Sequence, residues 1–325
     1  MVSMKDIAAR VGVSKTTVSL VLNGKAGSKV SEEVKNKVIR AVKDMNYQVN
    51  SLARSLRTGE TKVISVIVAD ISNEFFGQLT FSIQEEAKKA GYLVMTINSN
   101  ESAREFDDAV SAMMGKKVDG FIVVPTPGSE PAIERILGQN VPVVTVDRLC
   151  EGLSVDYVGV DNYRSAREAV AMLVEEGCRS ISMLGLDLDI PPLNDRQRAY
   201  EEIMDERGLK RFKDVRRVSF GLEEDETISR AFSGLEDKDA IFFTSRRAFT
   251  HAMTRAARNG ERIPRKQRLL CFDDISPYKS ISGNICYVEQ PVEEMARKAF
   301  ELLINQIRGN RAMGRYLYKT NFIGR

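Results

Sequence analysis

The chain has 325 residues, 43% of them hydrophobic, and a formal net charge of +3. This length allows two or three domains with substantial cores. No apolar run approaches the ~18 residues that a membrane span needs, and the N-terminal residues lack the charged-then-apolar pattern of a signal peptide. The four cysteines are scattered without a Cys-x-x-Cys pair, which favours free thiols over disulfides or a metal site. We therefore expect a soluble, cytoplasmic protein.

The first predicted elements are two short amphipathic helices joined by a tight turn. Ile7, Ala8 and Val11 share one face of the first helix. Gly12 can take the positive φ that a sharp turn needs, and Ser14 is a natural N-cap for the second helix. These spacings predict a helix-turn-helix, whose second helix enters the major groove of DNA. An ordinary helical corner is the alternative interpretation.

A third helix is predicted for residues 31–46, with a core stripe at Val34, Val38, Ile39 and Val42.

Charge is distributed unevenly along the chain. Residues 1–60 carry a net charge of +6, whereas residues 61–325 carry −3. Because basic side chains neutralise phosphates, a small basic region beside a larger acidic one predicts binding to nucleic acid.

Residues 61–325 alternate strand and helix. Apolar, β-branched runs, the first at Val63–Val68 and the last at Ile285–Val288, are separated by amphipathic segments. This alternation predicts parallel sheets flanked by helices on both faces. About ten such strands are many for one open sheet, so we predict two α/β lobes. The predicted helices lie near Phe75–Ala90, Ser102–Lys116, Asn162–Glu176, Asp195–Arg207, Arg246–Asn259 and Val292–Arg308.

The sequence lacks the motifs of common enzymes. His251 is the single histidine, which excludes a histidine-dependent triad and a His-Glu-x-x-His zinc site. Asp273 and Asp274 could be paired acids, but adjacent side chains at a strand end point in opposite directions. We therefore expect no catalytic residues, no metal and no cofactor.

Short motifs follow one another along nearly the whole chain. In the N-terminal region they are Lys5-Asp-Ile-Ala8, Thr17-Val-Ser19, Asn23, Tyr47, Asn50 and Ala53-Arg-Ser-Leu-Arg57. Further along they are Val66–Phe76, Val118–Ile122, Val146-Asp-Arg148, Val160–Asn162, Cys271–Ile275 and Glu289–Pro291. Taken together and in this order, they resemble the motifs of the lactose/galactose repressor family of bacterial transcriptional regulators.

The resemblance implies a small all-α helix-turn-helix domain followed by a two-lobed α/β core like that of periplasmic sugar-binding proteins, hinged by three crossovers. We assign residues 1–49 to the DNA-binding domain, 50–60 to a hinge helix or linker, and 61–325 to the ligand-binding and dimerisation core. Within the core, lobe 1 is expected at about 61–160 and 291–310, and lobe 2 at about 161–290 and 311–325. The ligand would bind in the cleft, at the carboxyl ends of the strands.

The resemblance also implies how DNA is contacted. The start of the recognition helix would reach base edges, and short hydroxyl and amide side chains would hold phosphates. In relatives, position 20 often carries Arg or His, whereas a leucine here would meet a thymine methyl group or exclude water. The recognition-helix residues expected at the DNA are Lys15, Thr16, Thr17, Ser19, Leu20 and Asn23.

The hinge would fold when two copies meet in the minor groove. Leu56 would act there as an apolar wedge that kinks the duplex; docking of Leu56 onto the core is the alternative. Val49 replaces the proline usual before position 50, so the linker is less stiffened than in relatives. The hinge residues expected to contact DNA are Asn50, Ala53, Arg54 and Leu56.

In the cleft, the resemblance implies an aromatic side chain stacked on a sugar face, with carboxylates and guanidiniums binding hydroxyl groups. Core packing is the alternative for the aromatic pair, and a surface salt bridge is the alternative for each arginine. The expected effector residues are Phe75, Phe76, Asp147, Arg148, Arg196, Phe220, Ser245, Arg246, Asp273 and Gln290.

One departure from the family pattern bears on the ligand. Ser245-Arg246 replaces an Asn-Asp pair, and places a guanidinium at the start of a predicted helix, where anions are already favoured. This pattern indicates a negatively charged effector, such as a sugar phosphate or sugar acid. The alternative is a neutral ligand, with Arg246 turned to solvent.

The function predicted from these observations is a homodimeric transcriptional regulator, most simply a repressor. It would bind a near-palindromic DNA operator and respond to a small-molecule effector, a sugar or sugar derivative. Two alternatives remain at this point. The core could respond to a protein partner, or the chain could be a sugar-binding protein without a DNA role, for which residues 1–58 would have no use.

Overall fold

The computed structural model describes residues 2–24, 26–47, 59–219, 231, 234–258, 266–278, 284–310 and 313–324. The chain divides into two compact units, Met1–Thr61 and Lys62–Arg325, so the boundary falls at the end of the predicted linker. The hinge residues Asn50, Ala53, Arg54 and Leu56, and the cleft residue Phe220, lie outside the described residues.

The N-terminal unit begins with helices α1 (Met4–Val11) and α2 (Lys15–Leu22). Gly12, which ends α1, has φ +75°, a conformation that costs glycine little. Ser14 caps α2, because its hydroxyl accepts a hydrogen bond from the backbone N–H of Thr17 at 3.0 Å. The predicted helix-turn-helix is therefore confirmed.

Helix α3 (Glu32–Asp44) completes this unit and is capped by Ser31. Its buried residues Val38 and Ala41 pack into the same small core as α1 and α2. Ile39 was predicted in this stripe, but its side chain is 47% exposed. The reason is helical geometry: a residue adjacent to Val38 points about 100° away from it around the axis.

The first sheet of the second unit has six strands among the described residues, in the order β11-β5-β4-β3-β1-β2, all parallel. Strands β3, β4 and β5 are buried along their full length, as expected for a parallel sheet with helices on both faces. The strands are β1 (Val63–Val68), β2 (Leu93–Asn98), β3 (Gly120–Val123), β4 (Val143–Val146), β5 (Asp156–Val160) and β11 (Arg315–Tyr318).

The second sheet repeats this order as β12-β10-β9-β8-β6-β7, with β12 antiparallel to β10 and the other pairs parallel. Each strand therefore has a counterpart in the first sheet, which confirms two α/β lobes. The strands are β6 (Ile181–Leu186), β7 (Asp214–Val218), β8 (Ala240–Phe243), β9 (Arg268–Phe272), β10 (Ile285–Glu289) and β12 (Asn321–Ile323).

Helices cover both sheets. The helices are α4 (Glu74–Lys89), α5 (Ala103–Gly115), α6 (Glu130–Gly138), α7 (Asn162–Glu175), α8 (Pro191–Glu206), α9 (Arg246–Arg258) and α10 (Val292–Ile307). Helix α10 follows β10 of lobe 2 but packs on α4 and on β3, β4 and β5 of lobe 1. Over the part of the chain that the structure describes, no helix has the length and apolar character to cross a membrane.

The C-terminal segment departs from its predicted assignment. Residues 311–325 were expected in lobe 2, but β11 pairs with β5 in lobe 1 and only β12 joins lobe 2. An exposed strand joins whichever sheet edge is free, and this cannot be inferred from its own residues. Helix α6 and strands β7, β11 and β12 were not predicted. The chain crosses between the lobes at β5–α7, β10–α10 and β11–β12, the three crossovers that were expected.

Candidate functional site

The carboxyl ends of both sheets converge on a cleft between the lobes. Asp147 follows β4, and Asp273 follows β9, its counterpart in the second sheet. Each aspartate donates its backbone N–H to the next strand at 2.9 Å, Asp147 to the Val158 carbonyl and Asp273 to the Val288 carbonyl. Both side chains are buried and line one small cavity. This is the position at which doubly wound sheets bind ligands.

Both aspartates have strained backbones. The φ angle is +66° at Asp147 and +90° at Asp273, a region that L-residues adopt at a cost of about 1–3 kcal/mol. Such strain persists where the surrounding structure holds the residue in place and is frequent at ligand sites. The two strained aspartates therefore mark the centre of the site independently of any motif.

On the lobe 1 side, Arg148 lies beneath the cleft in a buried ion pair. Its two terminal nitrogens each contact one Glu101 carboxylate oxygen at 2.6 Å, and Nη1 also donates to the Pro125 carbonyl at 3.1 Å. Its Nε is buried without a hydrogen-bond partner, 3.7 Å from Oδ2 of Asp147. Arg148 thus orients the site, with Nε as the donor still available to a ligand.

On the lobe 2 side, Arg196 is held by neutral groups. It donates to Asn162 Oδ1 at 2.7 and 3.0 Å and to the Thr244 carbonyl at 2.7 Å. Its guanidinium carbon lies 3.5 Å from the centre of the Phe272 ring, a cation–π contact. Only 4% of Arg196 is exposed, so the surface salt bridge considered as an alternative does not apply.

Gln290 joins the crossover at the end of β10 to the site. Its Nε2 donates to Asp273 Oδ1 at 2.6 Å. Its Oε1 is buried and has no hydrogen-bond partner, as is also true of Arg148 Nε. Buried polar atoms are almost always paired, so these two atoms indicate a place where a ligand or water completes the hydrogen bonds.

Phe75 and Phe76 begin α4 at the rim of the same cavity. Their ring centres are 5.1 Å apart in an edge-to-face arrangement, and both residues are buried. Phe76 also lies 5.9 Å from the Arg148 guanidinium. Both residues line the cleft and also pack in the lobe 1 core, so they have the core contacts of the alternative interpretation, while stacking on a sugar stays a prediction.

Burial shapes the protonation of the site. Burial raises the pKa of Asp147 to about 6. The negative charges of Asp273 and Glu101 also raise this pKa, whereas the positive charges of Arg148 and Arg196 lower it. Burial also raises the pKa of Asp273, opposed chiefly by Arg196 and by the hydrogen bond from Gln290. Both carboxylates therefore gain from a ligand that donates hydrogen bonds.

Two arginines at the start of α9 reach across the cleft to lobe 1. Arg246 pairs with Glu74 and donates to the Asp274 carbonyl, and Arg247 pairs with Asp70. Ser245, just before them, caps α9 by accepting from the Ala248 N–H at 3.3 Å. The lobes are thus linked by ion pairs at the mouth of the cleft.

These contacts leave little space inside. The inner cavity, lined by Asp147, Arg148, Arg196, Asp273 and Gln290 among others, has a volume of about 50 Å³. A water molecule takes roughly 30 Å³ of liquid, so a sugar would enter this cavity only if the lobes moved apart.

The charges do not favour the predicted anionic ligand. The described residues around the inner cavity supply four carboxylates and three guanidiniums, and the guanidiniums already have partners. Arg246 is 7% exposed and pairs with Glu74. It therefore neither turns to solvent nor presents a free positive charge to the cleft.

Several residues of the site had no role assigned from sequence. Glu101, Asn162 and Asp70 pair with arginines, yet only Asn162 and Asp70 lie in motifs noted above. All three follow strand ends (β2, β5 and β1), and that position was the available signal. Glu101 also has φ +56°, which sequence does not reveal.

On helix α2, some of the residues predicted to contact DNA are exposed at the N-terminal end, and others make hydrogen bonds within the helix or its cap. Lys15 and Thr16 are exposed at its N-terminal end. Asn23 Nδ2 donates to the Ser19 carbonyl at 2.5 Å and to Ser19 Oγ at 3.1 Å, and the hydroxyl groups of Thr17 and Ser14 are 2.9 Å apart. Leu20 is half-buried. The side chains of Thr17, Ser19 and Asn23 are therefore oriented by local hydrogen bonds.

Comparison with known proteins agrees with these features. A family model described as bacterial regulatory proteins, lacI family, matches residues 3–50, and one described as periplasmic binding protein domain matches residues 64–311. The chain is 31% identical over 308 residues to the ribose operon repressor of Halalkalibacterium halodurans, covering 94% of this chain and 91% of the relative.

Two solved structures share the fold. The lac repressor dimer bound to operator and an anti-inducer has a TM-score of 0.82 at 18% identity, covering 99% of this chain and 97% of that one. A LacI family transcriptional regulator from Enterococcus faecium with bound ribose has a TM-score of 0.70 at 19% identity, covering 80% of this chain and 96% of that one.

The helix-turn-helix unit and the two-lobed core with a polar cleft define a DNA-binding transcriptional regulator rather than an enzyme. The chain belongs to the lacI family of bacterial regulatory proteins.

Proposed function

We propose that this chain is a homodimeric transcriptional repressor that acts in the cytoplasm, binds a near-palindromic operator and responds to a sugar without an acidic group. The observation that carries the proposal is the cleft itself. Buried polar groups from both lobes converge there, and Arg148 Nε and Gln290 Oε1 lack partners.

The hydroxyl groups of a sugar match these unpaired atoms, because a hydroxyl both donates and accepts hydrogen bonds. Asp147 and Asp273 would accept from such hydroxyls, Arg148 Nε would donate, and Phe75 or Phe76 would cover an apolar face of the ring. The ribose operon repressor and the ribose-bound regulator named above support a sugar over other polyols. The excess of carboxylates over guanidiniums around the inner cavity supports a ligand without phosphate or carboxylate.

The switch would be a change in the angle between the lobes. The pairs Arg246–Glu74 and Arg247–Asp70 hold the lobes together around an inner cavity too small for a sugar. A ligand that enters must therefore bind a more open arrangement, and differential affinity for the two arrangements shifts their populations. That shift would alter the dimer and the hinge segments that meet on DNA.

Exposed apolar side chains on lobe 1 support dimerisation. Ile71, Phe81 and Leu93 are 45%, 65% and 63% exposed, and a partner that covered them would bury their apolar surface. A second copy would cover them symmetrically and bring two recognition helices to two half-sites.

The effector prediction is tested on the full chain by thermal shift. Ribose, xylose, glucose and galactose are added to the parent, to Asp273→Asn and to Asp237→Asn, an exposed aspartate that serves as control. A binding sugar at a hundredfold its Kd should stabilise the parent and control by about 2.7 kcal/mol, and Asp273→Asn hardly at all. If no sugar stabilises the parent, the proposal of a sugar effector is wrong.

The DNA prediction is tested by selection from random duplexes. Lys15→Ala should change the selected consensus, because Lys15 is expected at base edges, whereas Ser19→Ala should weaken binding evenly across sequences. Lys43→Ala, which removes an exposed charge from α3, is the control and should retain the parent consensus. An unchanged consensus for Lys15→Ala would contradict the assignment.

The wedge expected of Leu56 predicts that the Leu56→Ala variant bends DNA less than the parent does.

A further inference from the structure

A second, larger cavity opens beside the inner one, on the side of the β10–α10 crossover. Its volume is about 350 Å³, within the roughly 300–1,000 Å³ typical of ligand pockets. Phe75, Asp273 and Gln290 line both cavities, so the two are neighbouring compartments of one cleft. The outer compartment is already large enough for a ligand group while the lobes are closed.

The charge of this outer compartment is strongly negative. Its described lining supplies one guanidinium, Arg246, which is already paired with Glu74 and the Asp274 carbonyl. The lining also contains five carboxylates, those of Asp273, Asp274, Glu289, Glu293 and Glu294. The lining therefore repels anions and attracts cations.

Gln290, whose unpaired oxygen also supports the proposed function, shows that a hydrogen-bond donor is missing here. It lines the outer cavity and is 7% exposed, and its Oε1 has no hydrogen-bond partner. The side chain cannot simply rotate away, because Nε2 is bound to Asp273 Oδ1 at 2.6 Å. A buried acceptor without a donor calls for a ligand that donates hydrogen bonds.

We propose that the outer cavity is a subsite for a protonated amine carried by the effector, which makes the effector class an amino sugar. An ammonium group has three donors and no acceptor, so it satisfies Gln290 Oε1 and neighbouring carboxylates together. The sugar ring occupies the inner compartment once the lobes part, and the amine points towards the crossover. This inference rests on the proposed function, that a sugar binds in the cleft.

Calorimetry on the full chain tests the proposal with matched probes. Glucosamine, galactosamine and mannosamine are compared with glucose, galactose and mannose. They are also compared with their N-acetylated forms, which keep the nitrogen at the same position of the ring but carry no charge. Each titration is made with the amine protonated. At least one amino sugar should bind about tenfold more tightly than both of its uncharged counterparts, a difference of about 1.4 kcal/mol.

Variants of the chain then test whether the carboxylates of the outer cavity bind the amine. The double variant Glu289→Gln/Glu293→Gln should lose the preference for the amine and keep the affinity for the neutral sugar. Glu301→Gln, which lies on α10 but away from the cavity and pairs with Lys298, is the matched control and should keep the preference.

Each other result overturns the inference in a recognisable way. If neutral sugars bind and no amino sugar binds more tightly, the subsite is wrong while the sugar-binding cleft stands. If the double variant weakens neutral and amino sugars equally, the carboxylates act on the fold and not on an amine. If no sugar of either kind binds, the proposed function fails and the inference fails with it.

Discussion

Asp147 in lobe 1 and Asp273 in lobe 2 occupy equivalent places in two sheets of the same strand order. Both have positive φ, both donate to the following strand at 2.9 Å, and both are buried. Their surroundings differ. Asp147 lies beside Arg148, whose charge is already paired with Glu101, whereas Asp273 is bound by the neutral amide of Gln290.

The comparison separates what the repeated fold provides from what individual side chains add. The fold supplies one strained aspartate at the centre of each sheet edge. The side chains make the lobe 1 half an ion-paired cluster and the lobe 2 half a network of hydrogen bonds around Arg196. The halves should therefore respond differently to substitution, charge removal and pH.

The largest effect is expected from Arg196→Met, which removes the centre of the lobe 2 network. It leaves Asn162 Oδ1 and the Thr244 carbonyl without their donor, and each buried acceptor left unpaired costs about 1–3 kcal/mol. Urea unfolding of the full chain measures the loss. Arg198→Met, on the same helix but with a 59% exposed side chain, is the control, and an equal loss in both variants would contradict the argument.

An intermediate effect, dependent on pH, is expected from Asp147→Asn. The pKa of Asp147 is about 6 in the fold against an ordinary 3.8, so the folded state holds this proton more tightly than the unfolded chain. Its contribution to stability therefore falls as pH rises from about 4 through 6, by roughly 3 kcal/mol at most.

Asparagine cannot ionise, so Asp147→Asn should gain stability relative to the parent as pH rises through this range, and should lose effector affinity. Denaturant titrations at a series of pH values give both curves. Parallel curves for parent and variant would show that Asp147 is not the titrating group. Asp273→Asn should also gain stability relative to the parent as pH rises, because burial raises the pKa of Asp273 too.

The smallest effect is expected from Arg247→Ala, which breaks a contact between the lobes rather than within one. The pair with Asp70 is partly buried, so about 1 kcal/mol of coupling is expected in a double-mutant cycle with Asp70→Asn. Small-angle scattering should show a more open core in the variant. Arg164→Ala, which breaks an exposed pair with Glu168 on α7, should leave the scattering unchanged; an identical profile for Arg247→Ala would argue against the interlobe closure.

The local parts of this protein follow from its sequence. The turn at Gly12 and the cap at Ser14 depend on residues within one or two helical turns, and the strand and helix order depends on the periodicity of apolar residues. The family motifs also named Asp147, Arg148, Arg196, Asp273 and Gln290, which the fold brings together in one cleft.

Tertiary structure alone decided which charges meet. Glu101 pairs with Arg148 across 47 positions and Asp70 pairs with Arg247 across 177. Arg246, whose guanidinium seemed available to an anion, is likewise paired with Glu74 of the other lobe. The partition of β11 and β12 between the lobes has the same origin, because a strand pairs with the nearest free edge. Sequence therefore determined most of the helices and strands and named several residues that meet in the cleft, while long-range packing determined their partners, and hence the charge that a ligand meets.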